Sequence, residues 1–339
     1  MNIPELFIFV MKRIITGIIL AALLNIVNSC QSLTDFIPPD FDEKLCVTAV
    51  INSGRDQNII IIEKSFQNEY PSEVKAYLEN LSVIIKSESD VVFEYLNPKS
   101  QNRTDTVHLP IGLKFNSDQK YSLIISEKNS ESITSEIVVP QPPAIPEISV
   151  EGSVQTFLPP PLECHNPVKS IVLNVKFRSD KDCFYYLDIE GDLIPLYKNF
   201  PLNLIDYDII ESNTSYFKTY LYGFGSVGFP GCTLTPFPFI PGGTYQPCFF
   251  DSKTIPGNIS NIKIKININN FYYDYNKPIR ITLNSIPKDL YTYQKNYFTY
   301  LETLFDPFSE PVYIKGNIKG GFGIFSICSS KQYSLVLTN

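Results

Sequence analysis

Tryptophan is missing from the 339 residues, and histidine and methionine occur only twice each. With His108 and His165 alone to draw on, a multi-histidine metal site is excluded, and a Ser-His-Asp triad would have to use one of them. His165 directly follows Cys164, and neighbouring residues on a strand point to opposite faces, which argues against a Cys-His dyad. Carboxylates are numerous but scattered, so no pair with glycosidase spacing stands out. Long apolar runs are missing too. The longest near the N-terminus, Ile14 to Val27, is interrupted by Thr16, Gly17 and Asn25 and falls short of the roughly 20 residues that a membrane-spanning helix needs. Clusters of Lys and Arg are likewise absent. Beyond residue 29 the chain holds 26 basic and 34 acidic residues, a balance of −8 that excludes nucleic acid as an expected partner.

What the N-terminus does have is a leader. Lys12-Arg13 precede the apolar run, and Asn28-Ser29-Cys30 follow it. That order reads as a bacterial lipoprotein signal over 1–29, with cleavage after Ser29 and a diacylglycerol thioether on Cys30. Each buried acyl methylene adds about 0.8 kcal/mol, so two or three chains hold a protein firmly on a bilayer. A plain secretory signal is the competing reading, since Asn28 departs from the usual small residue. Residues 1–10 fit no signal architecture, and Met11 is an alternative start. Gln31 and Ser32 follow the cysteine where an Asp would signal inner-membrane retention, so the outer membrane is the expected destination, its periplasmic or surface side left open.

The remainder is expected to be mostly β. Tyr (21) and Phe (24) suit half-buried pleated surfaces, and 26 prolines supply turns. Residues 30–43 read as a tether. From 44 to 140, seven short apolar runs (Leu45 to Ile51, Asn58 to Glu63, Ser82 to Lys86, Val91 to Leu96, Thr106 to Leu109, Tyr121 to Ser126, Ile133 to Val139) suggest an immunoglobulin-like sandwich, with Ile59-Ile60-Ile61-Ile62 as a central strand. The Pro-rich stretch 141–146 cannot continue a ladder and reads as a linker. A second β-sandwich-type domain is expected over 147–339. Its strands include Ser170 to Phe177, Phe184 to Glu190 and the period-2 run Ile262 to Ile268, with Ile279 to Leu283 as the latter's neighbour. Leu290, Tyr293, Tyr297, Tyr300, Leu301 and Leu304 recur at helical spacing behind Pro287. They predict one amphipathic helix near 288–304, its tyrosines belonging to the core.

Six cysteines remain besides Cys30: 46, 164, 183, 232, 248 and 328. In an exported chain they allow fifteen pairings. Cys232 with Cys248 is the favoured bridge, because both lie in one Gly/Pro-rich excursion that a disulfide would stabilise by about 3 kcal/mol. Cys46 and Cys183 lie in strand-like runs and are expected to be buried, inert thiols. That excursion is also the best functional candidate. From Tyr220 to Cys248 it interleaves Tyr222, Phe224, Phe229, Phe237, Phe239 and Tyr245 with glycines and prolines, too irregular for paired strands and too apolar for a solvated tail. Long loops of this kind commonly carry function. The two readings are a partner-binding loop and a pinned lid over a sheet edge.

The C-terminal stretch from Asp306 to Phe325 (DPFSEPVYIKGNIKGGFGIF) is distinctive. Together with the opening strand Leu45 to Asn52 and the lipidated cysteine, it resembles a Bacteroidota lipoprotein family catalogued as domain of unknown function four-two-four-nine. The resemblance implies an outer-membrane lipoprotein, often encoded beside a TonB-dependent receptor, and brings no catalytic residues. Physically, Gly320, Gly321 and Gly323 permit positive φ or close backbone approach before Ile324-Phe325 re-enters a buried strand. A phosphate-cradling glycine loop is the weaker reading, because no strand-then-helix context accompanies it. The expected function is a non-catalytic accessory or ligand-capturing subunit of a TonB-dependent import system, without cofactor or metal. Two alternatives stand: a surface hydrolase acting on glycans or peptides, against which the missing Trp and scarce His count modestly, and an adhesin or cell-envelope structural protein.

Overall fold

A computed structural model of the chain describes residues 44–55, 58–65, 78–88, 90–98, 104–128, 130–156, 168–191, 207–218, 247–268, 277–303, 308–310 and 312–336. The protein is mostly β, with one α-helix among the described residues. Before residue 141 the strands are β1 (Leu45–Asn52), β2 (Ile59–Lys64), β3 (Leu81–Ser87), β4 (Asp90–Asn97), β5 (Thr104–His108), β6 (Lys120–Ser126) and β7 (Ile133–Val138). After residue 146 come β8 (Glu147–Thr156), β9 (Val168–Arg178), β10 (Phe184–Glu190), β11 (Tyr207–Ser212), β12 (Tyr216–Lys218), β13 (Cys248–Asp251), β14 (Ile259–Ile268), β15 (Ile279–Ile286), helix α1 (Lys288–Thr303) and β16 (Phe322–Leu335).

These strands build three sheets. An eight-stranded sheet has the order β12-β13-β10-β15-β16-β1-β2-β5, and two four-stranded sheets run β4-β3-β6-β7 and β11-β14-β9-β8. The long sheet draws β1, β2 and β5 from before residues 141–146 and its other strands from after them. The join is β16, which pairs in parallel with β1 (Val47↔Gly323 through Asn52↔Cys328) and antiparallel with β15 (Ile279↔Leu335 through Ser285↔Ser329). Residues 43–339 form one compact unit.

Side-chain alternation explains the layers. Val47, Ala49 and Ile51 of β1, Ile60 and Ile62 of β2, and Phe325 and Ile327 of β16 face Val83, Ile85, Leu123 and Ile125 of the first small sheet in one apolar core. At the other end Leu187 and Ile189 of β10 and Ile279, Ile281 and Leu283 of β15 face Leu173, Val175, Ile262, Ile264 and Ile266 of the second small sheet. Cross-strand partners share a face. The register therefore places both small sheets on the same side of the long one, with Val50, Tyr186, Phe249, Ile286, Ile324 and Cys328 on the other, under Leu290 and Tyr293 of α1.

Several expectations meet the structure directly. Ile59–Ile62 is an interior strand between β1 and β5, with Ile60 and Ile62 fully buried. Ile262, Ile264 and Ile266 point inward, whereas Lys263 and Lys265 are half-exposed. In α1, Leu290, Tyr293 and Tyr297 of the expected stripe are buried, Tyr300 and Leu301 only half-buried, and Leu304 lies outside the described residues. Other expectations are corrected. Ile279 to Leu283 is not the neighbour of the 262–268 strand: β14 pairs with β9 and β11, and the chain crosses to the long sheet, so the two isoleucine runs meet face to face. Cys183 is half-buried, not buried. It stands one residue ahead of β10, after Asp182 at φ +59, on a turn outside the ladder.

Candidate functional site

The described flanks of the 219–246 stretch meet at one edge of the long sheet. β12 lies on β13 through Tyr216↔Phe250, Phe217↔Phe249 and Lys218↔Cys248, so the chain leaves at Lys218 and returns at its backbone partner. A buried tyrosine fixes this root. The Tyr207 hydroxyl donates to the Leu187 carbonyl at 2.8 Å and accepts from the Cys248 amide at 3.0 Å, tying β11, β10 and β13 together. Burial pushes its phenol well above the ordinary range, so it stays a neutral donor. Lys218 donates from Nζ to the Tyr207 carbonyl and lies 5.0 Å from the centre of its ring.

Beside the root is an aromatic cluster. Phe217 stacks on Phe249 with centroids 5.1 Å apart, meets Tyr291 edge-on at 5.3 Å and approaches Phe298 at 5.7 Å; Phe184 lies 4.6 Å from Tyr291. Helix spacing puts Tyr291 and Phe298, seven residues and two turns apart, on one face of α1 toward the short edge strand β12. The arrangement supplies a stiff apolar base, not a reactive group. Tyr207→Phe is expected to lower stability by about 1–3 kcal/mol, because it removes the hydroxyl that bonds the Cys248 amide and the Leu187 carbonyl. Chemical denaturation followed by tyrosine emission reads this directly.

Deeper in the sheet lies a buried polar network. Asn52, at the end of β1, donates from Nδ2 to Asn284 Oδ1 (2.6 Å) and to the Tyr186 hydroxyl (3.3 Å). Its Oδ1 accepts from the Gly54 amide (2.9 Å) and the Ser330 hydroxyl (2.8 Å). Arg55, in the β1–β2 turn, donates from Nη2 to Asp188 Oδ2 at 2.6 Å and forms a second ion pair with Glu190, its Nε 3.0 Å from Oε1, while Arg280 Nε lies 3.5 Å from Glu190 Oε2. Asn284 reaches Asp188 Oδ2 at 3.4 Å. β1 and its turn are thus bound to β10, β15 and β16 by side chains as well as by the ladder. Among the described residues no group of three or more His, Cys, Asp or Glu side chains could hold a metal ion.

The glycine-rich C-terminal motif is a docking device between strands. Gly320 and Gly323 have φ of +83° and +104°. A Cβ on Gly321 would lie 2.5 Å from the Leu45 carbonyl oxygen, and one on Gly323 only 1.9 Å from that of Val47. The Asn317 side chain completes the turn, accepting from the Phe325 amide and donating to its carbonyl, both at 2.8 Å. Lys319 and Thr134 exchange backbone hydrogen bonds, so the motif also grips β7. Both readings of the glycines, positive φ and close approach, are realised here.

Of the residues singled out from sequence, Cys30, Cys232, Tyr222, Phe224, Phe229, Phe237, Phe239, Tyr245 and His165 lie outside the described residues. Cys248 is buried at the start of β13, and the described cysteines form no disulfide with one another. His108 is exposed at the end of the edge strand β5. Sequence reasoning missed Asn52, Arg55, Asp188, Glu190 and Asn284. The available signal was a carboxylate inside an apolar run, Tyr185-Tyr186-Leu187-Asp188-Ile189, which must find a partner if both faces of the strand are covered.

Residues 33–334 match the family described as Domain of unknown function (DUF4249). The chain belongs to this family. The match spans the opening strand, the buried network and the glycine motif. No curated protein matches this DUF4249 member. Among solved structures, trypsin-activated alpha-2-macroglobulin from Escherichia coli is similar at 6% identity with a TM-score of 0.23, over 73% of this chain and 14% of that one. The collagen-binding domain of the Erysipelothrix rhusiopathiae surface protein RspB is similar at 7% identity with a TM-score of 0.16, over 86% of this chain and 96% of that one. At these scores neither likeness bears on function. No helix among the described residues of the DUF4249 chain is long and apolar enough to cross a membrane.

Proposed function

We propose that this DUF4249 protein is a non-catalytic accessory or ligand-capturing subunit of a TonB-dependent import system, anchored in the outer membrane through an acylated Cys30. The observation that carries the reading is the root of the aromatic-rich excursion. A segment holding Tyr222, Phe224, Phe229, Phe237, Phe239 and Tyr245 departs from and returns to a single backbone pair, Lys218↔Cys248, on a sheet edge stiffened by Tyr207 and by the Phe217–Phe249–Tyr291 cluster. A rigid scaffold presenting an apolar loop is the usual construction of a recognition surface, because aromatic anchors buried at an interface carry most of its energy. The buried polar groups described above serve as struts between strands, which suits a subunit that holds shape. Acylation at Cys30 supplies the membrane partner, and the barrel of a TonB-dependent receptor supplies the apolar counter-surface.

Replacing Phe224, Phe229 and Phe237 together by Ser tests the assignment. Co-purification with the receptor is expected to be abolished while the thermal transition stays in place. Unchanged co-purification contradicts it.

A further inference from the structure

Asp188 is fully buried in β10, and its two carboxylate oxygens are treated unequally. Oδ2 accepts from Arg55 Nη2 at 2.6 Å and from Asn284 Nδ2 at 3.4 Å, whereas Oδ1 has no hydrogen-bond partner. Arg55 arrives from the β1–β2 turn, 133 residues earlier in the chain, with its side chain 9% exposed. The same turn is tied to the sheet by Asn52: the Ser53 amide bonds the Cys328 carbonyl, the Gly54 amide bonds Asn52 Oδ1, and the Arg55 amide bonds the Asn52 carbonyl. The ion pair therefore closes a small hydrogen-bonded unit onto the middle of the long sheet.

We propose that this pair is a proton-operated clamp: uptake of one proton by the Asp188 carboxylate weakens its hold on Arg55 and loosens the β1–β2 turn. The proton comes from solvent and settles on the oxygen that has no partner. No covalent bond breaks; an ion pair becomes a hydrogen bond from a cation to a neutral carboxyl, which is weaker. Arg55 keeps Glu190, whose Oε1 holds its Nε at 3.0 Å, so the turn loosens without detaching.

The surroundings bring the titration into an ordinary pH range. Burial is the largest influence and pushes the Asp188 carboxyl up; the Glu190 charge pushes the same way, Arg55 and Asn284 oppose them, and the result is about 7. Other elements present Arg280 from β15, the Cys328 thiol from β16, raised by burial to about 12 and hence neutral, and the neutral Tyr207 phenol from β11. A folded-state value above the ordinary 3.8 means that the folded protein holds more protons than the unfolded chain between about 4 and 7. Asp188 therefore lowers global stability as pH rises through that window. The clamp itself tightens as pH rises through about 7, because the ionised carboxylate grips Arg55.

Amide hydrogen exchange of the full chain between pH 5.5 and 8.5, corrected for intrinsic rates, separates these effects. Protection of the Ser53, Gly54 and Arg55 amides is expected to increase about tenfold across the range, with a midpoint near 7. In Asp188→Asn it is expected to be low and flat. PH-independent protection in the wild type, or a transition that survives in D188N, overturns the proposal. Should D188N fail to fold, Arg55→Gln takes its place: the step at the turn is expected to vanish, and its survival overturns the proposal equally.

Discussion

Gly323→Ala is expected to cost about 3–5 kcal/mol, adding left-handed strain to the price of overpacking. The residue holds φ at +104°, and the new Cβ would meet the Val47 carbonyl oxygen at 1.9 Å, its carbon at 2.8 Å and the Val47 nitrogen at 3.0 Å. All three are backbone atoms of β1, so no side chain can swing aside. The strain falls at the first residues of β16, the strand that joins both ends of the chain in one sheet. A thermal midpoint lowered by roughly 5–8 °C follows for a body of this size. Gly112→Ala is the control: φ there is +83°, but nothing lies within 4 Å, so only the backbone term of about 1 kcal/mol remains. Equal losses at the two sites would contradict the strand-docking account of the motif.

Asn52→Leu is expected to have an effect of similar size, through a different cause. The Asn52 side chain is buried and joins Asn284, Tyr186, Ser330 and the Gly54 amide. Leucine leaves those groups short of a partner in a dry site, at about 1–3 kcal/mol for each one stranded. Because the network spans β1, β10, β15 and β16, urea unfolding should remain one cooperative transition at a lower midpoint. Removing Asn284 in the same background should then cost less than it does alone, by about 1–2 kcal/mol of coupling. Strict additivity would show that the two amides do not act as a unit.

Much of the fold was legible locally. Alternating isoleucines at 262, 264 and 266 marked a half-buried strand, four consecutive isoleucines marked an interior one, and tyrosines at helical spacing marked α1. The glycines of the C-terminal motif announced their backbone geometry, since only Gly tolerates φ of +104° beside another strand. Strand partnership was less accessible. Nothing in Ile279 to Leu283 says whether it pairs with β14 or crosses to face it, because the inward alternation is the same in both arrangements. That β16 pairs with β1, some 270 residues away, leaves no short-range trace. The buried network was hidden for a related reason: Asn52, Arg55, Asp188 and Asn284 each look like ordinary polar residues until the sheet brings them together. The candidate partner-binding side chains lie outside the described residues, and only the strands on either side of them are described.

The central claim is that this DUF4249 protein works as the anchored, non-catalytic partner of an outer-membrane importer, and affinity purification from native membranes tests it most directly. The wild-type chain should bring down a TonB-dependent barrel in near-stoichiometric amount, and Cys30→Ala should fold normally while leaving the membrane fraction. A purification that yields no barrel protein, or a C30A chain that stays in the membrane, would contradict the account.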